Sequence, residues 1–265
     1  MKISALISDV DGTLVTRDKT LTAATRKAVA ALHERGIAFA ITSGRPPRGM
    51  RFFVEPLGLT TPIGGFNGGL ITRPDLAPLK EHTLAPETAQ QAHAILTDWK
   101  IDVWVFSGLD WLLIDRDRPH VGQEEHAVKF PPTIVPSIEA TLASAYKVVG
   151  VSEDHERLRQ CEIEMQAALG EGAAASRSQP YYLDITHPQA NKGNSVRSMA
   201  ALMDVPIAEV AVIGDNYNDL AMFAQSDFAI AMGNAPDDVK KKARFVTGTN
   251  DADGLAEAIH TYILA

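Results

Sequence analysis

Cysteine is almost missing from this sequence: Cys161 is the only one in 265 residues. A single thiol rules out an intrachain disulfide and any thiolate-held metal cluster, and Cys161 is expected as a reduced thiol on a helix. Long apolar runs are missing as well, so no segment reads as a bilayer span. Near the N-terminus, Lys2 precedes a short apolar run that is interrupted by Ser4, Ser8 and Asp9, too short for a secretory signal. The expectation is a soluble, cytoplasmic protein with no membrane partner. Also absent is a basic stripe: Lys and Arg number 25 against 33 Asp and Glu, a formal net charge of −8. That balance argues against nucleic acid as a partner. No internal repeat or low-complexity tract is present, and the run Lys240–Lys242 reads as a solvated helix face.

What is present is the composition of an ordinary globular protein, 45% hydrophobic and 22% charged, long enough for one large domain or two modest ones. Ile3–Val10 reads as a strand. Thr22 is placed to cap a helix carrying Ala24, Ala28, Ala31 and Leu32 on one face, and Gly36 to stop it. Ile37–Ser43 is a second, wholly apolar strand, and Thr61–Ile71 adds a third with a glycine-rich bend. The pattern returns late: strand at Ala208–Asp215, helix at Tyr217–Gln225, strand at Asp227–Met232, then a short helix, a strand and a closing helix over Asp253–Ile263. Continuous apolar strands alternating with helices predict a parallel sheet covered on both faces.

The middle of the chain differs. A helix over Pro86–Trp99 precedes neighbouring strands at Ile101–Gly108 and Trp111–Arg116. A polar, proline-bearing stretch follows, then a strand near Tyr146–Glu153, a helix near Asp154–Leu169 and a strand at Pro180–His187. Gly170–Gln179 reads as a flexible turn. Strands joined by short loops suggest a separate α+β unit, which holds all three tryptophans. The fold class is therefore α/β, a doubly wound and mainly parallel core over residues 1–82 and 188–265, interrupted by an inserted domain over 83–187.

Two acid clusters follow apolar strands. Asp9 and Asp11, at i and i+2 of an extended segment, project to one side; taken alone they fit either a solvated turn or a working site. An EF-hand loop does not fit, because Gly12 comes too early and Thr20 stands where the closing Glu belongs. Asp215, Asn218 and Asp219 lie at i, i+3 and i+4, the spacing of one helix face. In doubly wound sheets, functional groups collect beyond the carboxyl ends of the strands, so Asp9, Asp11 and Asp215 are expected at one rim. Converging carboxylates repel without a hard divalent cation, and an all-oxygen set favours Mg²⁺. Ser43 and Gly44 follow the second apolar strand and offer hydroxyl and backbone donors to an anion, while Lys192 offers an ammonium.

The ordered motifs "DVDGT" (Asp9–Thr13), "TSGR" (Thr42–Arg45), "NKG" (Asn191–Gly193) and "GDNYND" (Gly214–Asp219) resemble those of the haloacid dehalogenase-like superfamily. The subgroup resembled is the Cof-type phosphatases, whose large α/β cap lies between the second and third motifs; Asn67-Gly68-Gly69 resembles the Asn-Gly turn of that subgroup. The resemblance implies Asp9 as the nucleophile forming an aspartyl-phosphate, and Asp11 as the group that protonates the leaving oxygen and then activates water. Ser43 and Lys192 would hold phosphoryl oxygens, with Gly44, Arg45 and Asn67 as further substrate contacts. Asp9, Asp11 through its carbonyl, and Asp215 would bind Mg²⁺, with Asn218 and Asp219 in support. To act as an acid, Asp11 should have its pKa raised by its setting.

The implied activity is a Mg²⁺-dependent phosphatase for a small phosphorylated metabolite, a sugar phosphate or a phosphorylated cofactor, working as a monomer or small homo-oligomer. A phosphomutase with the same nucleophile and a non-enzymatic phosphate-sensing protein are the alternatives. Within the inserted domain, Gly108–Arg116 and Tyr181–Thr186 are candidate leaving-group contacts, while Asp184 and His187 read as structural.

Overall fold

The computed structural model describes residues 2–265. The chain forms two compact units, residues 2–80 with 191–265, and Glu81–Ala190. The expected division fell at 83–187.

The first unit is built on the apolar strands. Ala5–Ser8 pairs in parallel with Val210–Gly214 on one side and Ala38–Thr42 on the other. Phe228–Ala231 and then Phe245–Val246 extend the sheet beyond Val210–Gly214. Ile63–Gly65 follows Ala38–Thr42 in parallel, and Leu70–Thr72 returns antiparallel beside it. Every residue of the strands Ala5–Ser8, Val210–Gly214 and Phe228–Ala231 is buried, which is why their apolar runs do not alternate with polar residues.

Alternate side chains feed two cores. Leu6, Phe39, Ile41, Ala211 and Ile213 pack with Val29, Leu32 and Leu255. Ala5, Ile7, Ala40, Val210 and Val212 pack with Val196, Met199 and Met222. The sheet is thus covered on both faces, as the sequence predicts. Thr22 caps the helix Ala23–Glu34 by accepting from Thr25 N at 3.1 Å, and Gly36 follows it in the left-handed region at φ +70°.

The second unit is a six-stranded sheet in the order Ala174–Gln179, Tyr182–Thr186, Ala145–Val151, Asp102–Ser107, Asp110–Leu113, Thr133–Ile134. Its pairs are antiparallel except the last. The helices Pro86–Asp98 and His155–Leu169 bury Ala89, Ala92, Leu96, Leu158, Cys161 and Met165 in one cluster with Val105, Val148, Leu183 and Ile185.

One expectation fails here, and one helix goes unread in the sequence. Gly170–Gln179 is not a flexible turn: Ala174–Gln179 is the edge strand of this sheet, and only Ala175 of its six residues is buried. A one-sided edge has little apolar alternation to reveal it. Its backbone is held instead by side chains, with Gln166 Nε2 donating to Ala175 O at 2.8 Å and Glu162 accepting from both Arg177 N and Nε. The polar stretch after residue 116 contains the helix Val121–Val128, bounded by the left-handed residues His120 and Lys129 (φ 66° and 63°). With neither an N-cap side chain nor a terminal glycine, it shows none of the usual boundary signals. Among the described residues, no helix is long and apolar enough to cross a membrane.

Candidate active site

The strand Ala5–Ser8 lies between Val210–Gly214 and Ala38–Thr42, so the order of strands reverses around it. Asp9, Asp215 and Ser43 each follow directly on one of these three strands and gather at their carboxyl ends, the position such sheets reserve for ligands.

Asp9 is 4% exposed and Lys192 1%. Lys192 Nζ lies 2.5 Å from Asp9 Oδ1 and 2.5 Å from Asp219 Oδ1. Lys192 opens the helix Lys192–Leu202, whose cap Asn191 accepts from Asn194 N at 2.9 Å. That helix approaches the segment after Asp219 closely: a Cβ on Gly193 would stand 2.5 Å from the carbonyl oxygen of Ala221. Glycine at 193 therefore sets the depth to which the ammonium reaches.

Asp219 is fully buried. Its second oxygen accepts from Asp215 N at 2.8 Å and Asn216 N at 2.9 Å, so this carboxylate shapes the turn and anchors Lys192. Asp215 accepts from Thr13 Oγ1 at 3.3 Å and Asn234 Nδ2 at 3.2 Å, and Asn234 also donates to Gly12 O at 2.9 Å. Gly12 is left-handed, and a Cβ there would fall 2.3 Å from Asp215 Oδ2. Any larger residue at 12 would displace this carboxylate.

Electrostatics follow from these contacts. Burial pushes the Asp9 carboxyl well above the usual range; Lys192 opposes this, and Asp219 and Asp215 add to it. Burial and the neighbouring Asp219 raise Asp215 to about 6, against the pull of Lys192. Burial pulls the Lys192 ammonium down, but Asp219 and Asp9 outweigh it and raise its pKa, keeping it charged. One oxygen each from Asp9, Asp215 and Asp219 lie within 4.8 Å of one another. Crowded, desolvated carboxylates are the state a divalent cation relieves. The donor set is all oxygen, so the residues fit a hard ion such as Mg²⁺.

Asp11 has a different environment. Arg45 donates to it through Nε and Nη2, both at 2.6 Å, and Lys19 through Nζ at 2.6 Å. Burial raises this carboxyl, but the hydrogen bonds and charges of Arg45 and Lys19 prevail and hold it at about 2. The expectation of a raised pKa is corrected: in this state Asp11 is an ionised carboxylate between two cations.

Ser43 is 2% exposed; its Oγ accepts from Arg45 N at 3.2 Å and its carbonyl from Asn67 N at 2.7 Å. Asn67 occupies the left-handed region at φ 55°. Its side chain lies against Gly44, where a Cβ would be 3.6 Å from Asn67 Oδ1. The exposed Asn218 reaches the same oxygen at 3.5 Å. Asp9, Asp215, Asp219 and Lys192 thus form one group. Ser43, Gly44, Asn67 and Asn218 form a second, and Asp11 with Arg45 a third. Lys19, Thr13 and Asn234 were missed by sequence reasoning. Asn234 carries a usable signal, a turn just past the apolar strand Phe228–Ala231; Lys19, a lone lysine in a polar turn, carries none.

An acid-rich centre at the strand ends with a buried lysine, on a doubly wound sheet interrupted by a second unit, defines a hydrolase of phosphoric monoesters. The chain belongs to the haloacid dehalogenase-like hydrolases, whose family model matches residues 6–259. It is 27% identical over 273 residues to a pyridoxal phosphate phosphatase of Escherichia coli (strain K12), covering 100% of both chains. It is 26% identical over 273 residues to a 5-amino-6-(5-phospho-D-ribitylamino)uracil phosphatase of Bacillus subtilis (strain 168), covering 94% of each. The crystal structure of a haloacid dehalogenase-like hydrolase from Bacteroides thetaiotaomicron superposes with a TM-score of 0.91 at 28% identity, over 98% of this chain and 99% of the other.

Proposed function

We propose that the protein is a Mg²⁺-dependent phosphatase that removes the phosphoryl group of a small metabolite through an aspartyl-phosphate on Asp9. The observation that carries this reading is the buried Lys192 held 2.5 Å from both Asp9 and Asp219, beside a third carboxylate, Asp215. A lysine buried among acids at strand ends is costly as a mere structural device and well suited to a phosphoryl group.

In the first step an Asp9 oxygen bonds to phosphorus while the bond to the leaving oxygen breaks, and Asp11 delivers a proton to that oxygen. In the second step water adds to phosphorus, Asp11 takes its proton, and the bond between Asp9 and phosphorus breaks. Lys192 orients Asp9 and balances phosphoryl charge, and the Ser43 hydroxyl donates to a phosphoryl oxygen. Asp9, Asp215 and the Asp11 carbonyl would hold Mg²⁺, with Asn218 and Asp219 in support. Once bound, the ion supplies charge neutralisation for an anionic nucleophile meeting an anionic substrate. The names of the relatives support phosphorylated cofactors and their precursors as the substrate class; sugar phosphates rest on the family resemblance alone.

The test is phosphate release from 4-nitrophenyl phosphate, with Mg²⁺ and with EDTA, by wild type and Asp9→Asn. Release is expected only from wild type with metal. Undiminished release by Asp9→Asn would remove Asp9 from the nucleophile's role, and full release in EDTA would remove the metal.

A further inference from the structure

Lys19 belongs to the turn Thr16–Thr20, where Thr16 N donates to Thr20 O at 3.0 Å, Lys19 N to Thr16 O at 2.9 Å and Thr20 N to Thr16 Oγ1 at 3.1 Å. Its φ is +60°, a region that glycine or asparagine fills with less strain than lysine. The turn is anchored: Arg17 N donates to Asp251 Oδ1 at 2.8 Å, and Asn250 Nδ2 to Val15 O at 2.9 Å. A strained residue on an anchored turn whose side chain reaches a reacting group marks a functional position. An ion pair with Asp11, at 32% and 35% side-chain exposure, would be a weak reason for the fold alone to keep lysine there.

The pattern of hydrogen bonds shows what the side chain does. An ionised carboxylate offers about four lone-pair directions, two on each oxygen. Arg45 Nη2 and Lys19 Nζ both donate to Asp11 Oδ1, and Arg45 Nε donates to Oδ2. These contacts fill Oδ1 and leave one direction on Oδ2. We propose that Lys19 is a positioning residue for the phosphatase reaction: with Arg45 it fixes the Asp11 carboxylate so that Oδ2 alone exchanges a proton with the leaving oxygen and then with water. This inference rests on the reading of Asp11 given above. Without Lys19, Oδ1 regains a lone pair, the carboxylate is held from the Arg45 side only, and the oriented population falls.

The leaving group separates this role from a structural one. A nitrophenolate departs without a proton, whereas an alkoxide needs one as its bond to phosphorus breaks, and kcat/KM reports the steps through that transfer. The experiment measures kcat/KM for 4-nitrophenyl phosphate and for the best alkyl monoester in a panel of sugar and cofactor phosphates, with wild type, Lys19→Met, Lys19→Arg and Lys19→Gly. General acid catalysis contributes roughly 100- to 10,000-fold. Lys19→Met is therefore expected to lose about tenfold more on the alkyl than on the aryl substrate, and Lys19→Arg to recover most of it. Lys19→Gly relaxes the turn and should show the same selective loss, which removes misfolding as its cause. Equal losses on both substrates, or no loss on either, would overturn the role. A wild type that releases phosphate from neither substrate would refute the phosphatase reading itself, and this inference with it.

Discussion

Lys192 offers the sharpest test of how the site is held together. Replacing it with methionine keeps most of the side-chain volume but removes the ammonium between Asp9 and Asp219. Both carboxylates are buried, at 4% and 0% exposure, so neither can turn to water for compensation. Deleting one member of a buried ion pair typically costs about 3–5 kcal/mol, because the remaining charge is stranded. Here two carboxylates are stranded side by side, so the upper part of that range is expected. Against a total stability of roughly 5–15 kcal/mol, such a loss should be plain in urea denaturation followed by far-ultraviolet circular dichroism. A double variant, Lys192→Met with Asp9→Asn, removes one of the stranded charges and should recover at least about 1 kcal/mol, the range of coupling expected for groups in contact. Loss of less than about 1 kcal/mol on Lys192→Met, or strict addition of the two single effects, would refute the view that Lys192 neutralises this cluster.

Two other predictions concern packing. Gly193→Ala places a methyl 2.5 Å from the Ala221 carbonyl, a backbone atom that cannot swing away. It should cost about 1–3 kcal/mol and lower phosphatase activity by moving Lys192; an unchanged urea midpoint with full activity would contradict the close approach. Burial, with Glu164 adding to it, pushes the Cys161 thiol up to about 12 from the ordinary 9.0, so its contribution to stability is present below pH 9 and is lost as pH rises through 12. Iodoacetamide at pH 8.5 should label the native protein far more slowly than the urea-unfolded chain; equal rates would refute the buried placement.

The core was legible because its signals are local. An apolar run covered on both faces needs no partner to be recognised, and an acid just beyond such a run needs only the strand's end to place it. Asp9 and Asp215 follow from that logic, and Ser43 and Lys192 from the order of the motifs. The inserted unit was less legible where its boundaries use no capping chemistry. The helix Val121–Val128 starts and stops at left-handed His120 and Lys129, residues that a reader of sequence has no reason to stop at. The strand Ala174–Gln179 exists because Tyr182–Thr186 lies beside it, and no window of ten residues contains that fact.

The charge state of the site was the least legible part, and Asp9 and Asp11 show why. Two carboxylates separated by Val10 seem to share one environment, yet their pKa values move in opposite directions, Asp9 upward and Asp11 down to about 2. The difference comes from partners: Asp9 meets Lys192 together with two further acids, while Arg45 and Lys19 dominate the surroundings of Asp11. Neither Arg45 nor Lys192 is near Asp9 in the chain, and Lys19 is near but has no pattern to mark it. Environments that push paired titratable groups apart are how one site divides its tasks among like residues. The adjacent pair therefore supplies two equivalent carboxylates, and cations brought in from elsewhere in the fold make them different. Asp11 is thereby held as an ionised carboxylate between two cations, and Asp9 as a buried group among acids and one lysine.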